Sequence, residues 1–254
     1  MASDRNTHVI GELGLVHWID GDLSRGRAPV LPGMFVPGTN VVRIGVLTIL
    51  ADVVAGQPAT GAITPTTDIN VHVLGAQPVH TVHLVSTVLK AGATLLVTET
   101  ELRADDREEP FATSLATFMN RRLEVDPGDG RPAPALSRPF SERMGARLVA
   151  PGTVELENHA ELANGHHGTI QGGVMATLVE LAAESVGPAP AVVTSIDIRF
   201  LNRVKVGPAR AVARPTMSAG DQRMVGVTVT DVGDGDRTVA YAMTRCASPP
   251  APRG

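Results

Sequence analysis

Two acidic residues stand alone inside apolar stretches of the sequence. Glu180 lies in GTIQGGVMATLVELAAES, and Asp52 lies in VRIGVLTILADVVAG. Each follows a glycine by seven residues, Gly173 in one stretch and Gly45 in the other. Apolar surroundings disfavour the charged form of a carboxylate, which raises its basicity and suits it to activate water or to attack a carbonyl directly. The sequence therefore indicates two candidate catalytic carboxylates and leaves both routes open.

Both carboxylates are predicted to lie on helices. Apolar residues recur at helical spacing from Val46 until Gly56 and Pro58 end the first run, and from Gly172 to about Val186 in the second. Free N–H groups at the start of a helix carry the positive end of its dipole, so they can stabilise charge on a carbonyl oxygen. A glycine at that point leaves the approach open.

Each predicted helix is preceded by an extended segment and followed by four predicted strands. The extended segments cover 14–30 and 147–157. The predicted strands cover 66–74, 79–89, 94–102 and 111–118 in the first half, and 192–201, 209–215, 223–232 and 238–246 in the second. The halves align at an offset of 128 residues, which becomes 129 around Thr66 and pairs Thr66 with Ser195. The chain is therefore predicted to contain one unit twice.

A Pro- and Gly-rich stretch, PGDGRPAPALSRP, separates the two copies. We predict an N-terminal unit at 1–126, a linker at 127–139 and a C-terminal unit at 140–254. Each unit is expected to be α+β, with a curved antiparallel sheet wrapped around a central helix. Pairing of the two units would cover their open faces, and a homo-oligomer of the whole chain is compatible with this arrangement.

Composition excludes several classes of function. A net charge of -4 and 3% aromatic residues argue against nucleic acid as a partner. A single cysteine, Cys246, excludes an internal disulfide or a multi-cysteine zinc site, and no metal is expected. The N-terminus shows neither a signal peptide nor a membrane span, so we expect a cytoplasmic protein without a membrane partner. The abundance of Ala, Val, Gly, Arg and Asp indicates a GC-rich bacterial genome.

The motifs resemble those of hotdog-fold thioesterases, specifically the PaaI-like acyl-CoA thioesterase group in a tandem, double-hotdog form. GTIQGGVMATLVE is similar to the family's G-x-x-H-G-G helix entry with an acid seven residues on, and TTDINVHVL and SIDIRFL are similar to its strand motif. The resemblance runs from about Gly11 to Cys246. It implies hydrolysis of an acyl- or aryl-CoA, with coenzyme A as part of the substrate and no separate cofactor.

The resemblance also implies roles for individual residues. Asp52 and Glu180 correspond to the base or nucleophile, and Thr66 and Ser195 to the hydroxyl that positions the water. The backbone N–H of Gly172 would polarise the carbonyl, and Asn164 would bind its oxygen after a one-residue insertion. Substrate contacts are expected from Gln171, which replaces the usual histidine, from Gly173 and, at the coenzyme A phosphates, from Arg199, Arg203 and Lys205.

The two implied sites are unequal. In this family the acid and the glycine turn come from different units, so Asp52 would face Gly172, whereas Glu180 would face the altered turn at Arg43 and Ile44. We therefore favour the site formed by Asp52 and Gly172. Two alternatives stay open: a non-catalytic acyl-CoA-binding or regulatory module, suggested by the altered turn and the absent histidine, and a hydratase or dehydratase, for which no histidine is evident near the helix.

Overall fold

The structure is a computed structural model. It describes residues 8–57, 65–74, 79–105, 107–119, 136–163, 168–187 and 190–249. These residues form three α-helices, α1 (Ile44–Ala55), α2 (Phe140–Arg143) and α3 (Gly172–Glu184). They also form twelve strands, β1 (Val16–Asp20), β2 (Leu23–Pro29), β3 (Thr66–Val73), β4 (Thr81–Ala91), β5 (Leu95–Ala104), β6 (Pro110–Met119), β7 (Arg147–Ala150), β8 (Thr153–Leu156), β9 (Val192–Phe200), β10 (Ala209–Ala219), β11 (Gln222–Asp231) and β12 (Arg237–Ala247).

All twelve strands belong to one antiparallel sheet with a mirrored strand order. The order is β1-β2-β4-β5-β6-β3-β9-β12-β11-β10-β8-β7, so each half repeats the connections of the other outward from β3 and β9. The predicted long helices and the eight predicted strands that follow them are confirmed, and the two predicted extended segments form the β1–β2 and β7–β8 hairpins. The short helix α2 was not predicted. The predicted linker falls mostly outside the described residues.

The sheet wraps around α1 and α3, which pack against each other. Both helices are buried on nearly every side, as expected for helices enclosed by a sheet and by one another. A Cβ on Gly45 would lie 2.6 Å from Thr177 Cα, and one on Gly173 would lie 2.6 Å from Ile49 Cα. These reciprocal contacts show that the helices run antiparallel and that glycine permits their close approach. The 128-residue offset holds for this pair of helices.

The strand register corrects the offset predicted around Thr66. Thr66 pairs with Phe118 and Val193 pairs with Cys246. Residues 118 and 246 are 128 apart, but residues 66 and 193 are 127 apart. The counterpart of Thr66 is therefore Val193, and the predicted pairing of Thr66 with Ser195 is wrong.

The central pairing of β3 with β9 supports this correction. Asn70 lies opposite Asp197, which is 127 residues further along the chain. The pair Asp68–Arg199 has its symmetric counterpart in the pair His72–Ser195, since 68 and 195 differ by 127, as do 72 and 199. The sequences TTDI and SIDI look equivalent, but Asp68 pairs with Thr117 and Ser195 pairs with Arg245, so the counterpart of Asp68 is Ser195 and the match of letters is displaced by two residues. A displacement of two residues keeps the alternation between the two faces of the sheet, so the letters alone cannot detect it.

Candidate active site

Asp52 is held in the last turns of α1, facing the start of α3. Its side chain is buried, and the residue is 8% exposed. Thr66 on β3 donates its hydroxyl hydrogen to Asp52 Oδ1 at 2.7 Å, and Gln171 Nε2 donates to Asp52 Oδ2 at 2.7 Å. The carboxylate therefore has a hydroxyl donor from one half of the chain and an amide donor from the other.

Gln171 is fixed because it also caps α3. Its Oε1 accepts the N–H of Val174 at 2.9 Å, which satisfies one of the free donors at the start of the helix. With Oε1 committed to that N–H, the amide nitrogen must point at Asp52. Gln171 thus contacts the acid, whereas a role in substrate binding was predicted for it.

The environment of Asp52 makes it a weak acid. Burial raises the pKa of Asp52 to about 6, against the hydrogen bonds from Thr66 and Gln171, which lower it. At neutral pH the group is ionised while remaining far more basic than an exposed aspartate. This is the protonation behaviour that a general base needs.

Gly172 keeps a space open beside Asp52. A Cβ on Gly172 would lie 3.1 Å from the Phe200 ring and 3.6 Å from Asp52 Oδ2. Gly172 is partly exposed and is the first residue of α3, so its N–H has no acceptor within the helix. A carbonyl oxygen entering this space would meet a helix N-terminus on one side and a carboxylate on the other. Phe200, at the end of β9, forms the apolar wall and was not predicted.

Glu180 occupies the corresponding place on α3, but its surroundings are different. Its two carboxylate oxygens accept the N–H groups of Ile44 at 3.2 Å and Gly45 at 3.0 Å, at the start of α1. Arg43 Nη1 lies 3.4 Å from Glu180 Oε1 and donates to Glu184 Oε2 at 3.0 Å. Glu180 and Arg43 are 0% and 2% exposed, so an ion cluster fills this end of the helix pair.

The cluster contains two carboxyl groups and one cation. Burial raises the pKa of Glu184 to about 8, the nearby Glu180 charge adds to the effect, and Arg43 opposes it. Burial likewise raises the pKa of Glu180, opposed by Arg43 and by the two N–H donors. Glu184 was not predicted, although an acid four residues after Glu180 on an apolar helix is a signal that could have indicated the pair.

Three predicted site residues lie elsewhere. Ser195 is on the outer face of the sheet, since its neighbour Ile196 is buried, and its hydroxyl lies 2.8 Å from His72 Nδ1. Arg199 shares that outer face and donates to Asp197 at 2.5 Å. Gly173 is buried against Ile49, so it allows the helix contact and does not face the open space. The predicted roles of Ser195, Arg199 and Gly173 in the site are therefore corrected.

The loop after β9 lies beside the approach to α3. A Cβ on Gly207 would lie 3.1 Å from the Asn158 side chain, and Asn158 Nδ2 donates to the carbonyl of Gly168 at 3.0 Å. Arg203 and Lys205 are exposed on this loop, and Lys205 Nζ lies 3.8 Å from Asp234. Asn164 lies outside the described residues. Within the described parts of the chain, no group of three or more His, Cys, Asp or Glu could hold a metal ion.

No family model and no curated protein sequence matches the chain. Solved structures do. The tesB protein of Mycobacterium avium subspecies paratuberculosis has a TM-score of 0.66 at 16% identity, covering 95% of this chain and 98% of the other. An acyl-CoA thioesterase II from Mycobacterium marinum has a TM-score of 0.55 at 11% identity, covering 96% and 99%.

A protein of unknown function with a hotdog fold, from Alicyclobacillus acidocaldarius, has a TM-score of 0.60 at 12% identity, covering 97% and 100%. At these identities the likeness concerns the fold, and it extends over almost the whole length of both chains. The chain has the hotdog fold. No helix among its described residues is long and apolar enough to cross a membrane.

Proposed function

We propose that the protein is an acyl-CoA thioesterase. The observation that carries the proposal is the pairing of a buried, weakly acidic Asp52 with the open N-terminus of α3 at Gly172. A thioester hydrolase needs a base for water and donors for the carbonyl oxygen, and this site offers both. Two solved structures of the same fold are named as a tesB protein and an acyl-CoA thioesterase II, which agrees with this chemistry.

In the proposed reaction, Asp52 accepts a proton from a water molecule as the water oxygen attacks the thioester carbon. The N–H at Gly172 stabilises the charge that forms on the carbonyl oxygen. The carbon–sulfur bond then breaks, and the departing thiolate takes the proton from Asp52, which leaves a free acid and coenzyme A. We favour the base over the nucleophile because hydrogen bonds from Thr66 and Gln171 hold both Asp52 oxygens in place, and a proton can be accepted without the carboxylate moving to bond to the carbonyl carbon.

The proposal extends to substrate and organisation. Arg203 and Lys205 are proposed to contact the coenzyme A phosphates, because their loop borders the segment that leads to Gly172. The mirrored strand order and the antiparallel helix pair support a double hotdog of two units, at 1–126 and 140–254, joined by the linker. We propose that the chain carries the PaaI-like motifs on this fold. We also propose that it is a cytoplasmic bacterial protein that uses no cofactor and assembles as a homo-oligomer.

A panel of short, medium and aryl acyl-CoAs, assayed by release of free thiol, tests the activity. At least one substrate should be hydrolysed, and Asp52→Asn should lower kcat by about 100-fold or more because the variant cannot accept a proton. Tight binding of acyl-CoA without thiol release would instead support a non-catalytic binding module. Release of thiol that is unchanged in Asp52→Asn would refute the proposed site.

A further inference from the structure

The contact between α1 and α3 carries polar groups at both of its ends. At one end, Gln171 at the start of α3 meets Asp52 on α1. At the other end, Arg43 at the start of α1 meets Glu180 and Glu184 on α3. Arg43 and Gln171 are 128 residues apart, as are Asp52 and Glu180. The ion cluster is therefore the counterpart of the proposed active site in the repeated chain.

The cluster lacks what the proposed reaction needs. Glu180 itself accepts the N–H groups of Ile44 and Gly45, so the helix start that would stabilise a carbonyl oxygen already has an internal acceptor. The position that corresponds to Thr66 is Val193, which has no hydroxyl to donate. Ile44, which stands where Gly172 stands at the other end, is 1% exposed, whereas Gly172 is partly exposed. The start of α1 is therefore covered where the start of α3 is open.

The same contacts are well placed to fix one helix against the other. Arg43 contacts Glu180 and Glu184, which lie one helical turn apart on α3. Glu180 accepts two hydrogen bonds from backbone N–H groups of α1. A slide of one residue is about 1.5 Å along a helix, which would stretch a hydrogen bond beyond its useful range. The 2.7 Å bond from Gln171 to Asp52 would be lost with such a slide.

We propose that Arg43, Glu180 and Glu184 form a positioning cluster that holds α1 and α3 in the register required by the Asp52 site, and that each chain has one active site. The assignment of Asp52 as the active acid rests on the proposed function. Arg43, Glu180 and Glu184 are positioning residues, since they act through the helices on Gln171 and Asp52.

The number of sites can be counted directly. Calorimetric titration with a non-hydrolysable thioether analogue of an acyl-CoA substrate should give one molecule bound per chain. In the thiol-release assay, Asp52→Asn should retain less than about 1% of the wild-type rate. Two analogues bound per chain, or a third or more of the rate retained in Asp52→Asn, would overturn the assignment of a single site.

The positioning role has a readout that does not require turnover. In Arg43→Met, carbon-13 NMR of the Asp52 carboxyl group should show its pKa falling from about 6 towards the ordinary aspartate range, because a loosened helix pair admits water. Glu184→Met, which removes the contact of Arg43 with Glu184 and keeps its contact with Glu180, should show a smaller change in the same direction and serves if Arg43→Met does not fold.

Arg210→Met is the matched control, since Arg210 also joins two carboxylates, Glu155 and Asp236, on the outer face of the sheet, its neighbours Ala209 and Ala211 being the buried ones. It should leave the Asp52 titration unchanged. An Asp52 titration unmoved in both Arg43→Met and Glu184→Met, or moved equally in Arg210→Met, would overturn the positioning role. Failure of the wild-type protein to hydrolyse any acyl-CoA would refute the proposed function, while the NMR titration would still decide the role of the cluster.

Discussion

Side-chain length separates the two acids that stand at equivalent places on α1 and α3. Glutamate is one methylene longer than aspartate, and Glu180 reaches across to the N–H groups of Ile44 and Gly45. Asp52 bonds instead to the side chains of Thr66 and Gln171. The shorter acid leaves the start of α3 available to a substrate. The extra methylene therefore contributes to the difference between the two ends, together with the replacement of Gln171, Gly172 and Thr66 by Arg43, Ile44 and Val193.

Asp52→Glu tests this explanation. The longer side chain should reach the free N–H groups at the start of α3 and cap them, so kcat/KM should fall by about 100-fold although a carboxylate is retained. The thiol-release assay measures the loss. Thermal unfolding should show no loss of stability, and Glu180→Asp, the reverse change at the other site, should lower stability and leave more activity than Asp52→Glu does. Full activity in Asp52→Glu would contradict the explanation.

The raised pKa of Asp52 predicts the pH dependence of the reaction. The base must be ionised, so kcat/KM should increase by about tenfold per pH unit below the pKa and become constant above it. The midpoint should lie near 6, the pKa that burial gives to Asp52.

Thr66→Val removes a hydrogen bond that lowers this pKa, so the midpoint of the profile should move above 6. The matched control is Val193→Thr, which adds a hydroxyl at the counterpart position in the other half and should leave the profile unchanged. A profile unaffected by Thr66→Val would show that the hydroxyl does not act on Asp52.

At the scale of elements, glycine sets the distance between the two helices. Gly45 and Gly173 each face the other helix, where an added Cβ would lie 2.8 Å or less from several atoms of Thr177 or Ile49. Real Cβ atoms do not approach so closely, and part of each contact is with backbone, which cannot rotate away. The site depends on this spacing because Asp52 and Gln171 lie on different helices.

Gly45→Ala and Gly173→Ala should each reduce the free energy of unfolding by about 1 to 3 kcal/mol, since overpacking exceeds the gain in helix propensity. Gly56→Ala is the control, because its added Cβ would make only ordinary contacts of 3.4 Å or more. Chemical denaturation measures all three variants. Equal stability of Gly45→Ala, Gly173→Ala and Gly56→Ala would show that the helices can separate without penalty.

For the molecule as a whole, the sequence repeat predicted the fold better than it predicted the site. Apolar residues at helical spacing located α1 and α3, and alternation of apolar and polar residues located the strands. Both patterns arise because the sheet turns one apolar face towards the enclosed helices. The sequence also showed that Asp52 and Glu180 face different helix starts, because Ile44 stands at the position that corresponds to Gly172. The match of Ser195 with Thr66 failed because a displacement of two residues keeps the alternation of apolar and polar positions and is therefore invisible in the pattern. The contact of Arg43 with Glu184 spans 141 residues, so no local pattern could reveal it.

The buried cluster should make the stability of the whole chain depend on pH. The pKa of Glu184 is raised from 4.5 in the unfolded chain to about 8 in the folded one, so the folded state holds a proton that the unfolded state releases. Stability from this proton is fully present below pH 4.5 and is lost as the pH rises through 8. Asp52 acts in the same direction but only up to about pH 6. Between pH 6.5 and 8 the remaining decrease should therefore come from the cluster, and nearer pH 9 the Cys246 thiol, whose pKa burial raises to about 12, adds a smaller part.

Denaturant unfolding between pH 6.5 and 9 should show the wild-type free energy falling by about 2 kcal/mol, which is about 1.5 pH units at about 1.4 kcal/mol per unit. Glu184→Gln, which imitates the protonated acid and leaves Arg43 paired with Glu180, should flatten that slope and become the more stable protein at pH 9. Glu161→Gln, in the comparable cluster around Arg143, should keep the wild-type slope because the Glu161 side chain is 30% exposed, against 14% for Glu184. Parallel slopes for wild type and Glu184→Gln would mean that the cluster holds no proton near neutral pH. Glu180 and Glu184 would then both be ionised, with Arg43 as the cation that compensates them.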